Sequence, residues 1–209
     1  MRKLWDISQT LRPALPVWPG DTVFESEPVS AIGPDCPVKI SRLTLSTHSG
    51  AHADAPNHYD PEGVDMAGAG LDFYIGECVL VTATGNGPHV MPDDLDWDRI
   101  DSHQRVLVRT YERFPHDEWD SAFRAMHADT IDRLAASGCR LIGVDAASLD
   151  PETSKTMDAH HAVQRHDMRI LEGLVFDGVP NGCHELIALP LKIADADAAP
   201  VRAVLRELP

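Results

Sequence analysis

Most of the short motifs that would assign an enzyme class at sight are missing from these 209 residues. There is no G-x-G-x-x-G and no Walker A loop, so nothing in the chain is built to cradle a nucleotide phosphate. There is no G-x-S-x-G elbow, which removes the usual serine-hydrolase reading. Cysteine is scarce: Cys36, Cys78, Cys139 and Cys183 are widely scattered and form no C-x-x-C pair. The expectation is four buried free thiols in a reducing cytoplasm. Positive charge is scarce too, with 18 Lys and Arg against 33 Asp and Glu and a net charge of −15. That balance argues against nucleic acid and anionic membranes as partners. No run approaches the roughly 20 apolar residues of a membrane span. Met1-Arg2-Lys3-Leu4-Trp5-Asp6 has two basic residues but no apolar stretch behind them, so it does not read as a signal peptide. The reading is a cytoplasmic protein.

What is present fits one globular domain, residues 1–209, with 43% apolar and 24% charged residues. Leu4 to Ile7 reads as a short strand. Pro13, Pro16, Pro19 and Gly20 make an irregular loop around Trp18. Val23 to Ile32 and Val38 to Thr47 read as paired strands joined at Gly33-Pro34-Asp35, with Leu43 and Leu45 on one face. Asp60 to Gly63 is a turn, and 64 to 76 is ambiguous, a broken helix at best. Cys78 to Thr84, Arg105 to Thr110 and Arg140 to Val144 read as strands. Pro92 to Leu95 starts a short helix. Asp129 caps a helix through about Ser137, closed by Gly138. Lys155 to Asp167 contains another. Leu174 to Phe176, Glu185 to Leu189 and Val201 to Leu205 complete the strand set. Strands first, then strand–helix–strand units, indicate a mixed α/β domain.

The densest chemistry lies in His48-Ser49-Gly50-Ala51-His52-Ala53-Asp54-Ala55-Pro56-Asn57-His58. Three imidazoles and a carboxylate are the ligand types that Zn²⁺ and similar divalent ions prefer. All four sit at even positions, so extended backbone points them to one side. A helix fails, because Asp54 would lie about 200° round from His52. A straight strand fails as well, since it would separate His48 from His52 by roughly 13 Å. The chain must curl, and Gly50 is where a curl is cheapest. A strand running into a curved metal-binding loop is expected, with small neighbours leaving room for an ion.

Such a loop rarely completes a catalytic metal site alone. Asp158-Ala159-His160-His161 and Leu171-Glu172-Gly173 offer further ligands. By spacing alone His161, His166 and His184 compete equally with His160, and Glu172 reads more readily as a surface carboxylate than as a ligand. Trp18 reads either as core or as an aromatic wall for a flat ligand.

The loop resembles the His-x-Gly-Thr-His-x-Asp-x-Pro-x-His signature of the metal-dependent cyclase-like hydrolases. It departs once, with Ala51 at the threonine position. Alanine there is similar to the kynurenine formamidase (arylformamidase) branch of that family. So are Val17-Trp18-Pro19-Gly20-Asp21, the run Ala146 to Pro151, Lys155-Thr156-Met157-Asp158-Ala159-His160 and Ile170 to Leu174. The resemblance implies an α/β fold, the swivelling β/β/α cyclase-like domain with a mixed sheet, as a homodimer. It implies a first metal ion on His48, His52 and Asp54, with Asp54 reaching a second ion. His160 would bind that second ion and Glu172 would bridge or bind both, giving two Zn²⁺ per subunit, with Mn²⁺ or another divalent ion as substitutes. His58 matches the acid/base residue, and Trp18 a substrate-contacting aromatic. The missing hydroxyl at Ala51 removes a hydrogen bond, not a ligand.

The implied reaction is hydrolysis of N-formyl-L-kynurenine to L-kynurenine and formate in tryptophan degradation. A metal-activated water would be the nucleophile, with His58 passing its proton to the aryl amine. Two alternatives stand beside it. One is a cyclic-amide or isatin-type hydrolase on the same fold. The other is a non-catalytic metal- or ligand-binding protein, against which the spare histidine His58 argues.

Overall fold

The computed structural model describes residues 2–209. Thirteen strands are formed: β1 (Leu4–Asp6), β2 (Glu25–Ser30), β3 (Ile40–Thr44), β4 (His52–Asp54), β5 (Ile75–Thr82), β6 (His89–Val90), β7 (Arg105–Arg109), β8 (Ala125–Met126), β9 (Leu141–Val144), β10 (Arg169–Glu172), β11 (Gly182–Ile187), β12 (Ala198–Pro200) and β13 (Val204–Arg206). Three α-helices accompany them: α1 (Trp97–Ile100), α2 (Ala128–Ala136) and α3 (Asp158–Arg165). Nine strands form one mixed sheet in the order β1-β13-β11-β5-β7-β9-β10-β4-β12. The centre, β5-β7-β9-β10, is parallel, and the flanking pairs are antiparallel.

The central strands are nearly continuous apolar runs because both faces of the sheet are covered. Period-two alternation then sorts their side chains. Leu80, Leu107, Leu141 and Leu171 enter one core together with Ala51, Ala53 and Ala55. Val79, Val81, Val106, Val108, Ile142, Val144 and Ile170 enter the other, beneath Ile131 and Leu134 of α2 and Ala159 and Val163 of α3. The sheet also curls. β12 and β13 lie seven places apart in the strand order, roughly 34 Å in a flat sheet at about 4.8 Å per strand. The chain joins Pro200 to Val204 in four steps, a reach of about 14 Å at most. The two ends of the sheet must therefore approach each other.

The β2–β3 hairpin stands outside this body as its own two-stranded sheet. It forms where expected, but Leu43 is 55% exposed and every residue of β3 is exposed. Other expectations shift. Region 64–76 contains two short 3₁₀ turns, at Met66–Gly68 and Leu71–Phe73. Leu174 to Phe176 is buried but not a strand. Leu174 N–H donates to Val144 and Val175 N–H to Ile7, so the segment crosses between strand ends instead of joining a ladder. Helix α2 is capped by His127, whose ring accepts from Asp129 N–H, two residues earlier than the expected Asp129. Val201 to Leu205 is split by the crossover between β12 and β13. All four cysteines are free, but only Cys78 and Cys139 are buried; Cys183 is exposed. Among the described residues no helix is long and apolar enough to cross a membrane.

Candidate active site

A strand runs into the curl, as expected, since β3 ends at Thr44 before it; but the second half of the metal-type loop is itself a strand, β4. Residues 46–51 turn through Gly50, whose φ of +66° is the left-handed region. A side chain there would meet Leu11 at 2.9 Å. Gly173, at φ +62°, approaches the Gly50 carbonyl so closely that a Cβ would sit 2.5 Å from it. These two glycines let the curl nest against the end of β10. The chain then enters β4, where His52 and Asp54 share one face and Ala53 packs into the core on the other.

Pairing does the rest. β4 lies antiparallel to β10 with His52 opposite Glu172 and Asp54 opposite Ile170. The register therefore places Glu172 beside His52, at 3.3 Å from Oε2 to Nε2. His160 arrives from α3, whose first residue lacks a local side-chain cap. Asp150 supplies that function from a distance. Its carboxylate accepts from Ala159 N–H and His160 N–H at 3.0 Å each, and from His160 Nδ1 at 2.6 Å. The helix end and the imidazole are thus fixed by one residue. The site lies beyond the carboxyl ends of the parallel strands, where open α/β sheets place their ligands.

The arrangement of acceptors is unusual for a buried cluster. His52 Nδ1 donates to the Gly50 carbonyl at 2.9 Å, so its Nε2 carries a bare lone pair. That lone pair faces Glu172 Oε2 and, at 3.5 Å, Asp54 Oδ1. His160 Nδ1 is likewise committed to Asp150, and its Nε2 faces Asp54 Oδ2 at 3.5 Å and Glu172 Oε1 at 3.6 Å. Leu149 N–H holds Glu172 Oε1 from behind at 2.7 Å. His48 Nδ1 lies 3.3 Å from Asp54 Oδ1. His52 Nε2 and both Asp54 oxygens are buried without any hydrogen-bond partner. Acceptors facing acceptors in a buried site are costly unless a proton or a cation lies between them. This donor set, nitrogen and carboxylate oxygen with the imidazoles oriented by their far nitrogens, fits a divalent ion.

Without such an ion, protons take its place. Burial lowers the proton affinity of His48, but Asp54 and Asp197 outweigh it and push the pKa up to about 9. Burial is likewise overcome at His160 by Asp150, Asp54 and Glu172, to about 10. Asp54 is fully buried, which alone would raise its pKa; His160 and His48 nonetheless hold it well below the usual carboxylate range.

His58 stands exposed at the rim, with its ring 4.5 Å from that of His48 and 5.9 Å from that of His160. Its Nδ1 lies 3.5 Å from Asp197 Oδ2, an oxygen that also contacts His48 Nε2 at 3.1 Å. Thr47 donates to the other oxygen of Asp197 at 2.8 Å. Ligand-type atoms converge in two sets that include His58, one with His48 and Asp197 and one with Asp54 and His160, and in the set of His48, His52 and Asp54. Trp18 does not share the cluster. It lines the adjoining cavity of about 310 Å³, edge-to-face with Trp119 at 5.6 Å between ring centroids. Trp119 is fixed by its Nε1 donating to Glu152 at 2.6 Å.

All seven residues singled out from the sequence thus meet around one cavity and its floor. The competing histidines lie elsewhere: His161 is exposed against Gln164, His166 binds Asp132 at the surface, and His184 packs on Trp5 at β11. Sequence reading missed Asp150, Asp197 and Trp119. Asp150 stood inside a quoted run, but its role depends on the packing of α3. Asp197 is far from the loop in sequence and arrives through β12, which pairs with β4.

Comparisons with known proteins agree with this architecture. The cyclase family model matches residues 5–151. Kynurenine formamidase of Maricaulis maris (strain MCS10) is 77% identical over 209 residues, covering both chains completely. Kynurenine formamidase of Erythrobacter litoralis (strain HTCC2594) is 55% identical, covering 100% of this chain and 95% of that one. A solved structure described as a potential metal-dependent hydrolase with cyclase activity superposes with a TM-score of 0.84 at 24% identity, covering both chains completely.

Proposed function

Since the chain belongs to the cyclase family and has kynurenine formamidases as full-length relatives, we propose that it hydrolyses N-formyl-L-kynurenine to L-kynurenine and formate. It is an arylformamidase of the kynurenine pathway of tryptophan degradation. The observation that carries the reading on this chain is the pair of bare imidazole nitrogens, His52 Nε2 and His160 Nε2, facing two buried carboxylates at the floor of an aromatic-walled cavity.

In this reading His48, His52, Asp54, His160 and Glu172 hold the metal. Asp54 and Glu172 each turn one oxygen toward His52 and the other toward His160. That spread suits two ions per subunit, and the nitrogen–oxygen donor set suits Zn²⁺, with Mn²⁺ as a substitute. When bound, a divalent ion supplies a water acidic enough to act as a nucleophile near neutral pH, and a positive charge beside the formyl oxygen.

The remaining work falls to side chains at the rim. His58 takes the proton released as water adds to the formyl carbon and delivers it to the anilide nitrogen as the C–N bond breaks. Asp197 orients that ring through Nδ1, leaving Nε2 for the proton transfer. Trp18, braced by Trp119, packs against the substrate's aryl ring and turns the formyl group toward the floor. The whole apparatus belongs to one domain, residues 1–209, working in the cytoplasm. Exposed Val29, Ile32, Val38, Ile40 and Leu43 on the projecting hairpin support a homodimer that covers them.

Formate release from N-formyl-L-kynurenine by the purified protein tests the reaction. Turnover of a ring-closed cyclic amide, with none of the formyl anilide, would replace it with the isatin-type alternative.

A further inference from the structure

Three ligand atoms converge at a second place in the molecule, away from the cavity. Cys183 Sγ lies 3.4 Å from His103 Nε2, and Glu77 Oε1 lies 3.9 Å from the same nitrogen. All three atoms lie within 4.8 Å of one another. The sheet sets this geometry. β11 pairs antiparallel with β5, with Cys183 opposite Val79 and Glu185 opposite Glu77. Glu77 and Cys183 are therefore diagonal neighbours on one face of adjacent strands. His103 comes from the turn between α1 and β7, the strand on the other side of β5, and that turn is tied by His103 N–H to the Ile100 carbonyl. In the sheet β7 and β9 separate this place from β10 and β4.

A hydrogen bond does not account for all three groups. A proton on His103 Nε2 can point at the thiol or at the carboxylate, not at both. Nor is this a nucleophilic triad, in which the carboxylate would hold the far nitrogen, Nδ1, and leave Nε2 for the thiol. A cation placed among the three serves every one of them. Ligand atoms around tetrahedral zinc lie about 3.3–3.8 Å apart, the edge of a tetrahedron with bonds of about 2.0–2.3 Å. The observed spacings need only a small rotation of the Glu77 side chain, which is 61% exposed and free to make it. Solvent on the open side supplies the fourth ligand.

We propose that Cys183, His103 and Glu77 form a second metal site, specific for soft or borderline divalent ions such as Zn²⁺, Co²⁺ and Cd²⁺ and separate from the reaction centre. The thiolate sets the preference, since Mg²⁺ and Ca²⁺ favour oxygen. A bound ion ties β11, β5 and the turn into β7 together.

The cavity cluster contains no cysteine, which makes the test selective. Titration of the full chain with Co²⁺ should produce a near-ultraviolet thiolate-to-cobalt charge-transfer band that saturates with one ion per chain. C183S should abolish the band and bind one ion fewer, while formamidase activity stays within twofold of wild type. H103A should weaken the titration by at least tenfold and E77Q by a smaller factor. Zn²⁺ should bleach the band, and a large excess of Mg²⁺ should leave it. Absence of the band at millimolar Co²⁺ would overturn the proposal, as would a band that survives in C183S. Unchanged titrations in both H103A and E77Q would also overturn it, because the site would then be a thiol alone.

Discussion

The floor and the mouth of the cavity are made in different ways. At the floor His52, Asp54 and Glu172 sit on paired strands, and His160 on a helix whose end is bound by Asp150. These side chains are almost wholly buried. At the mouth Trp18, Trp119 and His58 come from loops and a 3₁₀ turn and remain partly exposed. The difference follows from what each must hold. Buried like charges and bare lone pairs tolerate little misplacement, so they need elements with fixed register. An aromatic wall and a proton carrier act on a ligand that enters and leaves, and loops on a rigid frame serve that purpose.

The sharpest way to break the comparison is at the floor. His52→Ala should lose bound metal and essentially all activity together, by elemental analysis and rate on one sample. Wild-type metal content in that variant would remove His52 from the ligand set. His58→Ala should separate the two properties, keeping most of its metal while its rate falls on the order of 10²–10⁴-fold. Parallel loss of metal would make His58 a ligand and extend the floor to the rim. Asp150→Ala tests whether support behind a ligand counts as floor. Losing the hydrogen bond behind an imidazole ligand typically costs 10–100-fold in metal affinity or activity. The same variant should lower the Tm, because Ala159 and His160 N–H lose their acceptor. Metal affinity equal to wild type would show that Asp150 serves α3 alone. The smallest effect is expected at the mouth. Trp18→Ala should stay folded and metal-loaded, raise KM several-fold, and discriminate less between aryl and alkyl formamides. A lowered Tm with unchanged KM would make Trp18 a packing residue.

Proton competition separates the two regions further. In metal-free protein the raised pKa values of His48, about 9, and His160, about 10, mean that both rings carry protons at pH 7. Metal uptake must displace those protons. Apparent affinity should therefore climb as pH rises from 6 to 9 and fall as pH drops, with proton release measurable in weakly buffered solution. The stability these protonated rings give the metal-free fold runs the other way: it is complete below about 6.5 and lost as pH rises through the folded values. Affinity independent of pH over that range would contradict the assignment of His48 and His160 as ligands.

Legibility in the sequence followed the same division. The floor was largely readable because three of its groups, His48, His52 and Asp54, lie in one stretch, with Gly50 marking the curl. That the chain straightens into β4 after the curl was not readable, because a continuing loop satisfies the same spacing. Resemblance, not spacing, singled out His160 and Glu172; spacing could not tell them from His161, His166 or a surface carboxylate. Asp197 and Asp150 left no local signal, since each acts across the fold through β12 or α3. Leu174 to Phe176 misled because an apolar run records burial and says nothing about which backbone groups it meets. The β2–β3 hairpin was found from its turn, while its exposure was not, since apolar residues on a projecting arm look like core in one dimension.

The central claim is that the buried imidazole–carboxylate cluster works only with a divalent ion inside it. Stripping the protein with a chelator and restoring Zn²⁺ in substoichiometric steps, with N-formyl-L-kynurenine hydrolysis and bound metal read on each sample, tests it most directly. The account predicts no turnover in the verified metal-free protein and activity that rises with bound metal to a plateau at two ions in the cavity cluster, counted in C183S so that the surface site does not contribute. Full activity in the metal-free protein would contradict it.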